Sequence, residues 1–200
     1  MSGTFPSSPA FQELEIRSLQ DTFVSRTISG RRQVRQIGGQ YFLMRAVFPP
    51  MTRAQFAPIN AFVMAQRGRY ESFIVTPPVL STGLGSPAGT PLVNGASQTG
   101  RSIITDGWTV SNGVAIFKAG DYLKFANHDK VYTVTADVNS DSNGEATISI
   151  EPALIRSPAD NSAITHTSVP FTVAFTGGVQ EFSTGASGLF SFEVDLEEVI

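Results

Sequence analysis

Three segments decide the fold of this chain: Gly120-Asp-Tyr-Leu-Lys-Phe125, Lys130-Val-Tyr-Thr-Val-Thr135 and Asn143-Gly-Glu-Ala-Thr-Ile-Ser-Ile-Glu-Pro152. They lie within the stretch Gly113 to Ile155 and show the alternation of side chains that is typical of paired β-strands. In the second segment, Tyr132 and Val134 would share one face of a strand. The block therefore predicts a small β-barrel of consecutive hairpins, inserted into a longer domain.

Two polar tips separate these segments. The first is Asn127-His128-Asp129, and the second is Ser140-Asp-Ser-Asn-Gly144. The Asn-Gly pair of the second tip suits the positive backbone angles of a tight hairpin turn.

The composition is that of a folded, β-rich chain of 200 residues, 41% of them hydrophobic. No segment approaches the ~20 apolar residues that cross a bilayer, so we expect no membrane partner. The N-terminal residues have neither a basic start nor an apolar core, so we expect no secretory signal. The absence of cysteine removes disulfides and thiol catalysis. Phenylalanine is abundant, with 15 residues, and we interpret these rings as core and subunit contacts.

The flanking segments predict a second group of strands around one helix. The helix begins at Thr52, with Gln55 in capping-box position, and ends before Gly68; Pro58 predicts a kink or a restart within it. Segment 41–48 is apolar on both faces and should be a central strand. The two C-terminal strands should complete the sheet that begins before residue 77. The predicted strands are residues 11–17, 31–37, 41–48, 70–76, 170–175 and 189–196.

Residues 79–100 are rich in Gly, Ser, Thr and Pro, and we expect a long loop there. The predicted organisation is a sandwich domain formed by residues 1–79 and 165–200, with residues 80–164 as the inserted loop and barrel. The predicted fold class is mainly β: a β-sandwich with one flanking α-helix plus a small inserted β-barrel.

Charge is distributed unevenly along the chain. Residues 1–75 hold nine Arg and four acids, whereas residues 165–200 hold five acids and no Lys or Arg. Because the planar Arg side chain suits interfaces, we expect subunit contacts at five arginines. They are Arg31, Arg32, Arg35, Arg67 and Arg69.

The C-terminal strand carries an acidic stripe of Glu193, Asp195 and Glu197 on one face. Two environments would suit this stripe. It could line a central channel and repel DNA phosphates, or it could pair with the arginines of a neighbouring subunit.

These residues together carry a resemblance. The helix and strand from Thr52 to Phe73, then Pro77-Pro78, then the block with Gly120-Asp121, Val131-Tyr132 and Pro152, resemble the distal tail and baseplate hub proteins of tailed bacteriophages. In that family a domain similar to the tail tube protein forms a ring, and some members carry an oligonucleotide-binding-type barrel as an insertion.

The resemblance implies a structural, non-enzymatic virion protein. It implies a homo-oligomer, a hexameric ring, that connects the tail tube protein to a baseplate hub or tail tip protein. The protein would be made in the host cytoplasm and located in the virion, and DNA would pass through its channel without specific binding.

The sequence contains no complete catalytic or cofactor signature, and we expect no cofactor, metal or catalytic residue. His128, on a predicted hairpin tip, and His166, in a connector, are too few for a zinc site, and we expect them in open loops. The alternating acids and amides from Asp137 to Glu145 have Ser142 and Ile148 where a calcium loop needs Gly and a carboxylate, so a polar hairpin turn is the better interpretation. Ser187 does not lie in a nucleophile elbow, and Ser81-Thr-Gly-Leu-Gly85 lacks the Lys of a phosphate loop. Glu197 and Glu198 would point to opposite faces of a strand, so a solvated terminus is a better interpretation of this pair than an acid and base.

Three other functions compete with the structural one. Binding of single-stranded nucleic acid would need a basic groove with exposed aromatic rings, but the barrel segment is acidic, and Tyr122, Phe125 and Tyr132 fit strand packing. A carbohydrate-binding or host-recognition module of a phage tail is the alternative, with Trp108 as its main support. A cell-wall hydrolase is disfavoured because no site is visible.

Overall fold

The computed structural model describes residues 3–110, 114–185 and 187–200. Gly113, where the barrel block begins, and Ala186 therefore lie outside the described residues. The described residues form one helix, α1 (Arg53–Ala65), and the following strands. The strands are β1 (Glu13–Arg26), β2 (Arg32–Val47), β3 (Phe73–Val75), β4 (Gly89–Val93), β5 (Ser102–Trp108), β6 (Tyr122–Phe125), β7 (Val131–Val134), β8 (Ala146–Glu151), β9 (Ile164–Thr165), β10 (Phe171–Phe175), β11 (Phe182–Thr184) and β12 (Phe190–Glu198).

The chain divides into two compact units. The first contains residues 1–74 and 173–199, and the second contains residues 75–172 and Ile200. Each unit has its own sheet, and both sheets have six strands. The mainly β class with one helix and an inserted barrel-like sheet is confirmed. No helix in the described part of the chain is long and apolar enough to cross a membrane.

The sheet of the first unit has the order β1-β2-β12-β10-β3, and β11 pairs with the first half of β12. The prediction that the C-terminal strands complete the sheet begun before residue 77 is confirmed, and β2 is central, as expected. The predicted separation of segments 31–37 and 41–48 is wrong, because β2 runs through both without a break. A register shift marks the place: Gln20 faces Gln40 but Thr22 faces Gln36, so the Gly38-Gly39 pair lies in a β-bulge.

The helix begins as the sequence predicts. Thr52 is the N-cap residue, and its backbone N–H donates to Gln55 Oε1 over 3.0 Å. Of the two alternatives predicted at Pro58, a kink or a restart, the restart is wrong, since α1 is continuous. Pro58 lies on the exposed side of the helix, where water can replace the missing bond. On the opposite side Phe56, Ile59 and Val63 are buried.

Phenylalanine rings form much of the core of the first unit. Phe56 of α1 stacks on Phe190 of β12 with ring centroids 4.8 Å apart, and Phe62 meets Phe73 of β3 edge-on at 5.3 Å. Phe73 in turn contacts Phe175 of β10 at 5.0 Å. The interpretation of the phenylalanines as core residues is thus confirmed for this group, and ring contacts fix the helix against the sheet.

The sheet of the second unit has the order β4-β5-β8-β7-β6-β9 and is nearly closed into a barrel. A bridge between Leu92 and Ala163 joins β4 to the chain beside β9. The prediction of one long loop over residues 79–100 is wrong, because β4 lies within it and forms this edge of the barrel. The barrel core is apolar and includes the single tryptophan, Trp108, whose exposed fraction is 4%.

The tip between β7 and β8 differs from the predicted turn. Asn143 has no positive φ; only Gly144 does, at 76°. Asp141 Oδ1 accepts hydrogen bonds from the backbone N–H groups of Asn143 and Glu145 at 2.8 and 2.9 Å, so the aspartate side chain organises the turn. A Cβ on Gly144 would lie 2.3 Å from the carbonyl oxygen of Trp108, so this position needs glycine for space as well.

Candidate assembly surface

The most exposed part of the first sheet is the distal half of the β1–β2 hairpin. Every residue from 17 to 37 is exposed, although most of them are in strands. β12 pairs with β2 only over residues 43–47, so beyond the bulge the hairpin is a two-stranded ribbon. We call residues 19–37 the arm. Six residue steps from Gln20 to Arg26 give the ribbon a length of about 20 Å.

Both faces of the arm combine apolar and basic side chains. Val24 faces Val34 and Arg26 faces Arg32, so these four side chains share one face. Phe23 faces Arg35 on the other face. Phe23 is 58% exposed, and Ile28, in the turn at the tip, is fully exposed. A ribbon with apolar residues on both faces has the surface of a protein-binding element.

The arm contains three of the five predicted interface arginines: Arg31, Arg32 and Arg35. All three are exposed, and no ion pair involves them within the described residues. Four arginines and one acid, Asp21, give the arm a net charge of +3.

The other two predicted arginines follow α1. Arg67 is exposed and has a positive φ of 55°, next to Gly68 at the end of the helix. Arg69 pairs with Glu197 at 3.0 Å. Arg69 is thus engaged within the chain, whereas Arg67 has no ion pair among the described residues.

The acidic stripe lies on the exposed face of β12, as its alternation predicts. Glu193, Asp195 and Glu197 point away from the buried side chains of Val194 and Leu196. Glu193 accepts a hydrogen bond from Arg45 of β2 at 2.7 Å, and this contact raises the pKa of Arg45. Together with the Arg69 contact, two of the three carboxylates are therefore paired within the chain.

Glu198 differs from the expectation of a solvated terminus. It is 5% exposed and lies on the buried face of β12, where its Oε2 accepts the backbone N–H of Phe42 at 3.1 Å. That expectation is wrong because residues on the face of Glu198 point into the core of the first unit. The glutamate there completes the hydrogen bonding of β2 beyond the end of its pairing with β12.

A groove lies at the opposite end of the same hairpin, between the end of β2, β11 and β12. Its volume is about 460 Å³, and its lining includes Phe48, Phe182 and Phe192 together with Glu181 and Glu193. A smaller acidic depression beside it is lined by Glu13, Glu15, Arg45, Val47 and Glu193. We call the larger concavity the Glu181 groove; it has an apolar floor and an acidic rim.

The apolar side chains of the arm are not among the residues that the sequence predicts to be functional. The sequence does contain a sign of this apolar surface. Phe23-Val24 lies in a segment without regular alternation, and Val34 and Ile37 are flanked by polar residues. Alternation alone cannot tell a strand packed on one face from one that is exposed on both.

The side chains that resemble parts of a ligand site in the sequence make contacts within the chain instead. His128 was expected in an open loop, but it is 3% exposed and its Nδ1 lies 2.9 Å from Tyr132 Oη. Burial lowers the pKa of His128 and of His166. The polar hairpin turn expected between Asp137 and Glu145 is confirmed by the Asp141 contacts. No group of three metal-ligating side chains occurs in the residues that the structure describes.

The glycine-rich segment after Ser81 also binds an internal anion. The backbone N–H groups of Leu84 and Gly85 donate to the carboxylate of Asp121 at 2.7 and 3.1 Å, and that of Lys118 donates at 2.8 Å. Asp121 is 3% exposed. Donors of the kind that would hold a phosphate are thus used to fix the barrel.

The aromatic residues of the barrel lie in or near its core. Phe125 and Tyr132 are fully buried, and Tyr122 packs against Phe171. Trp108, the main support for carbohydrate binding, contacts Phe117 edge-on at 5.4 Å and donates its Nε1–H to Thr105 at 2.8 Å. These rings are therefore placed for packing rather than for stacking on an external base or sugar.

Comparison with known proteins relates the barrel to a phage protein family. Residues 81–169 match the family described as Distal tail protein pb9, B domain. No curated protein matches the chain. The match covers the barrel and confirms the resemblance to phage distal tail proteins that the sequence indicates. It supports a structural role in a phage tail.

Proposed function

We propose that this protein forms a homo-oligomeric ring, a hexamer as the family resemblance implies, at the distal end of a phage tail. The ring joins the tail tube protein to a baseplate hub or tail tip protein and lets DNA pass through its opening. It is made in the host cytoplasm, becomes part of the virion and performs no catalysis. The family match over residues 81–169 supports the tail role.

The observation that carries the ring is the exposed arm. Two-stranded hairpins are marginally stable in water, so a ribbon of about 20 Å with no third strand needs a partner surface. Its apolar residues, Phe23, Val24, Val34 and Ile37, are each 46% or more exposed. The arginines at positions 31, 32 and 35 would orient the contact, because interface charges set register and partner choice.

The two compact units suggest a division of roles. We assign ring formation to the sheet that carries the arm, and contacts with other tail proteins to the barrel, which the sequence places in residues 80–164. Replacement of residues 80–164 by a short linker should then leave an assembling protein, since insertions of this kind fold separately.

The test is the mass of the purified protein by light scattering, with negative-stain microscopy for its shape. The expected particle is a ring of six times the 21.4 kDa chain. The variant in which Arg31, Arg32 and Arg35 are all Ser should yield smaller species with unchanged circular dichroism. Arg53→Ser, at the exposed start of α1, is the control. A wild-type chain that stays monomeric at every concentration would refute the ring.

A further inference from the structure

We propose that the tip of the arm of one copy binds in the Glu181 groove of the next copy. This rests on the proposed ring and names its contact. The partner is a second copy of this chain, because the arm and the groove are complementary in charge and in apolar character.

The charges of the two surfaces are opposite. The arm carries Arg26, Arg31, Arg32 and Arg35 against one acid, a net charge of +3. The groove and the depression beside it are lined by four acids and one arginine, a net charge of −3. The acids are Glu13, Glu15, Glu181 and Glu193, and the arginine is Arg45.

Internal ion pairs leave part of this acidic charge free. Arg17 pairs with Glu15 at 3.3 Å and Arg45 with Glu193 at 2.7 Å. No ion pair involves Glu13 or Glu181 within residues 3–110, 114–185 and 187–200. The arginines of the arm are likewise without an acidic partner there. Each surface thus lacks what the other offers.

The apolar parts match as well. Ile28 is fully exposed at the tip, and the floor of the groove is formed by phenylalanines, of which Phe182 is 46% exposed. A volume of about 460 Å³ accommodates an Ile side chain with parts of its neighbouring turn residues.

A single copy cannot make this contact with itself. The tip follows Arg26 at one end of β1, and the groove lies next to Gln12 at the other end. Thirteen residue steps along the strand separate the ends by about 40 Å. A protrusion and a recess at opposite ends of one element form a head-to-tail contact, and contacts of this type generate rings when the rotation closes.

A charge exchange tests the pairing. One variant carries Arg31→Glu with Arg32→Glu, and the other carries Glu13→Lys with Glu181→Lys. None of these four residues has an ion pair in the part of the chain that the structure describes. Each variant alone should remain below ring mass with unchanged circular dichroism. Mixing the two should restore rings, because each reversed arm then faces a reversed groove and each native arm a native groove. Arg53→Glu and Asp106→Lys, made as two separate variants, shift the net charge by −2 and +2 away from both surfaces and are the controls for net charge.

The outcomes separate this inference from the ring itself. If the wild type is monomeric, the proposed function fails. If the wild type forms rings but either variant does so alone, or the mixture does not recover, the arm and the groove are not partners. If the Lys variant assembles alone and gains salt-sensitive DNA binding, the acidic face lines the channel and the inference is overturned. Loss of rings in Ile28→Ser would support the apolar part of the contact, and full assembly of that variant would contradict it.

Discussion

Replacement of Asp121 by Ala should destabilise the barrel strongly. The carboxylate is almost fully buried and accepts three backbone N–H groups, from Leu84, Gly85 and Lys118, at 2.7 to 3.1 Å. A hydrogen bond to a charged group contributes about 1.5–3 kcal/mol, and an unpaired buried donor costs about 1–3 kcal/mol. Two effects offset part of this loss of stability. The N–H groups near Leu84 can bond to water when the segment opens, and the cost of burying a charged group disappears. We expect a net loss of about 3 kcal/mol in the free energy of unfolding.

Urea unfolding followed by fluorescence measures this loss. Trp108 is the single tryptophan and lies in the barrel core, so its emission reports on the unit that contains Asp121. Asp121→Asn should lose less stability than Asp121→Ala, since the amide oxygen of Asn still accepts hydrogen bonds. It should not match the wild type, because the amide NH2 group would face a backbone N–H group, and both are donors. Asp106→Ala is the matched control, because Asp106 is half-exposed and has no side-chain bond among the described residues. If Asp121→Ala unfolds within about 0.5 kcal/mol of the wild type, the carboxylate does not hold this segment.

Three further predictions concern stability. Thr105→Val removes a buried hydroxyl that accepts Trp108 Nε1–H and donates to the carbonyl oxygen of Ala146. The free energy of unfolding, measured in urea, should fall by about 1–3 kcal/mol, and an unchanged midpoint would contradict this. Phe56→Ala should cost about 3–5 kcal/mol by thermal unfolding, as its ring fills the space between α1 and β12, and a shift as small as that of Met64→Ala on the exposed side would count against it. Burial lowers the pKa of His128 below the 6.5 of an unfolded histidine, so on acidification the unfolded chain binds a proton before the folded chain does. The free energy of unfolding should therefore fall as the pH drops below about 6.5. An equal dependence on pH in His128→Gln would show that His128 contributes nothing to this fall.

The features predicted correctly from the sequence are those set by local pattern. Thr52 and Gln55 fix the start of the helix through bonds within four residues, and the alternation of β12 places Glu193 and Asp195 outside. These signals do not depend on distant neighbours. The sheet order followed from one further step, because an apolar C-terminal strand has to bury its face against an earlier one.

The errors arise where distant residues decide the outcome. β4 has a glycine and a proline in five residues and shows no strand pattern, but β5 and the chain near Ala163 pair with it on either side. His128 follows a strand and resembles a loop residue, yet the rings of Phe125 and Tyr132 enclose it. In both cases tertiary contacts override the local propensity.

The Gly38-Gly39 pair shows how one local signal supports two structures. From the sequence it marks a break between two strands, but in the folded chain it is a bulge within β2, opposite Asp21. A bulge bends a ribbon and increases its twist, so it sets the direction in which the arm leaves the sheet. In a head-to-tail assembly that direction fixes the rotation between copies, and the rotation decides between a closed ring and an open helix. On the proposed contact, the glycine pair that lies between the two strands predicted from the sequence is therefore the element that determines how many copies close the ring.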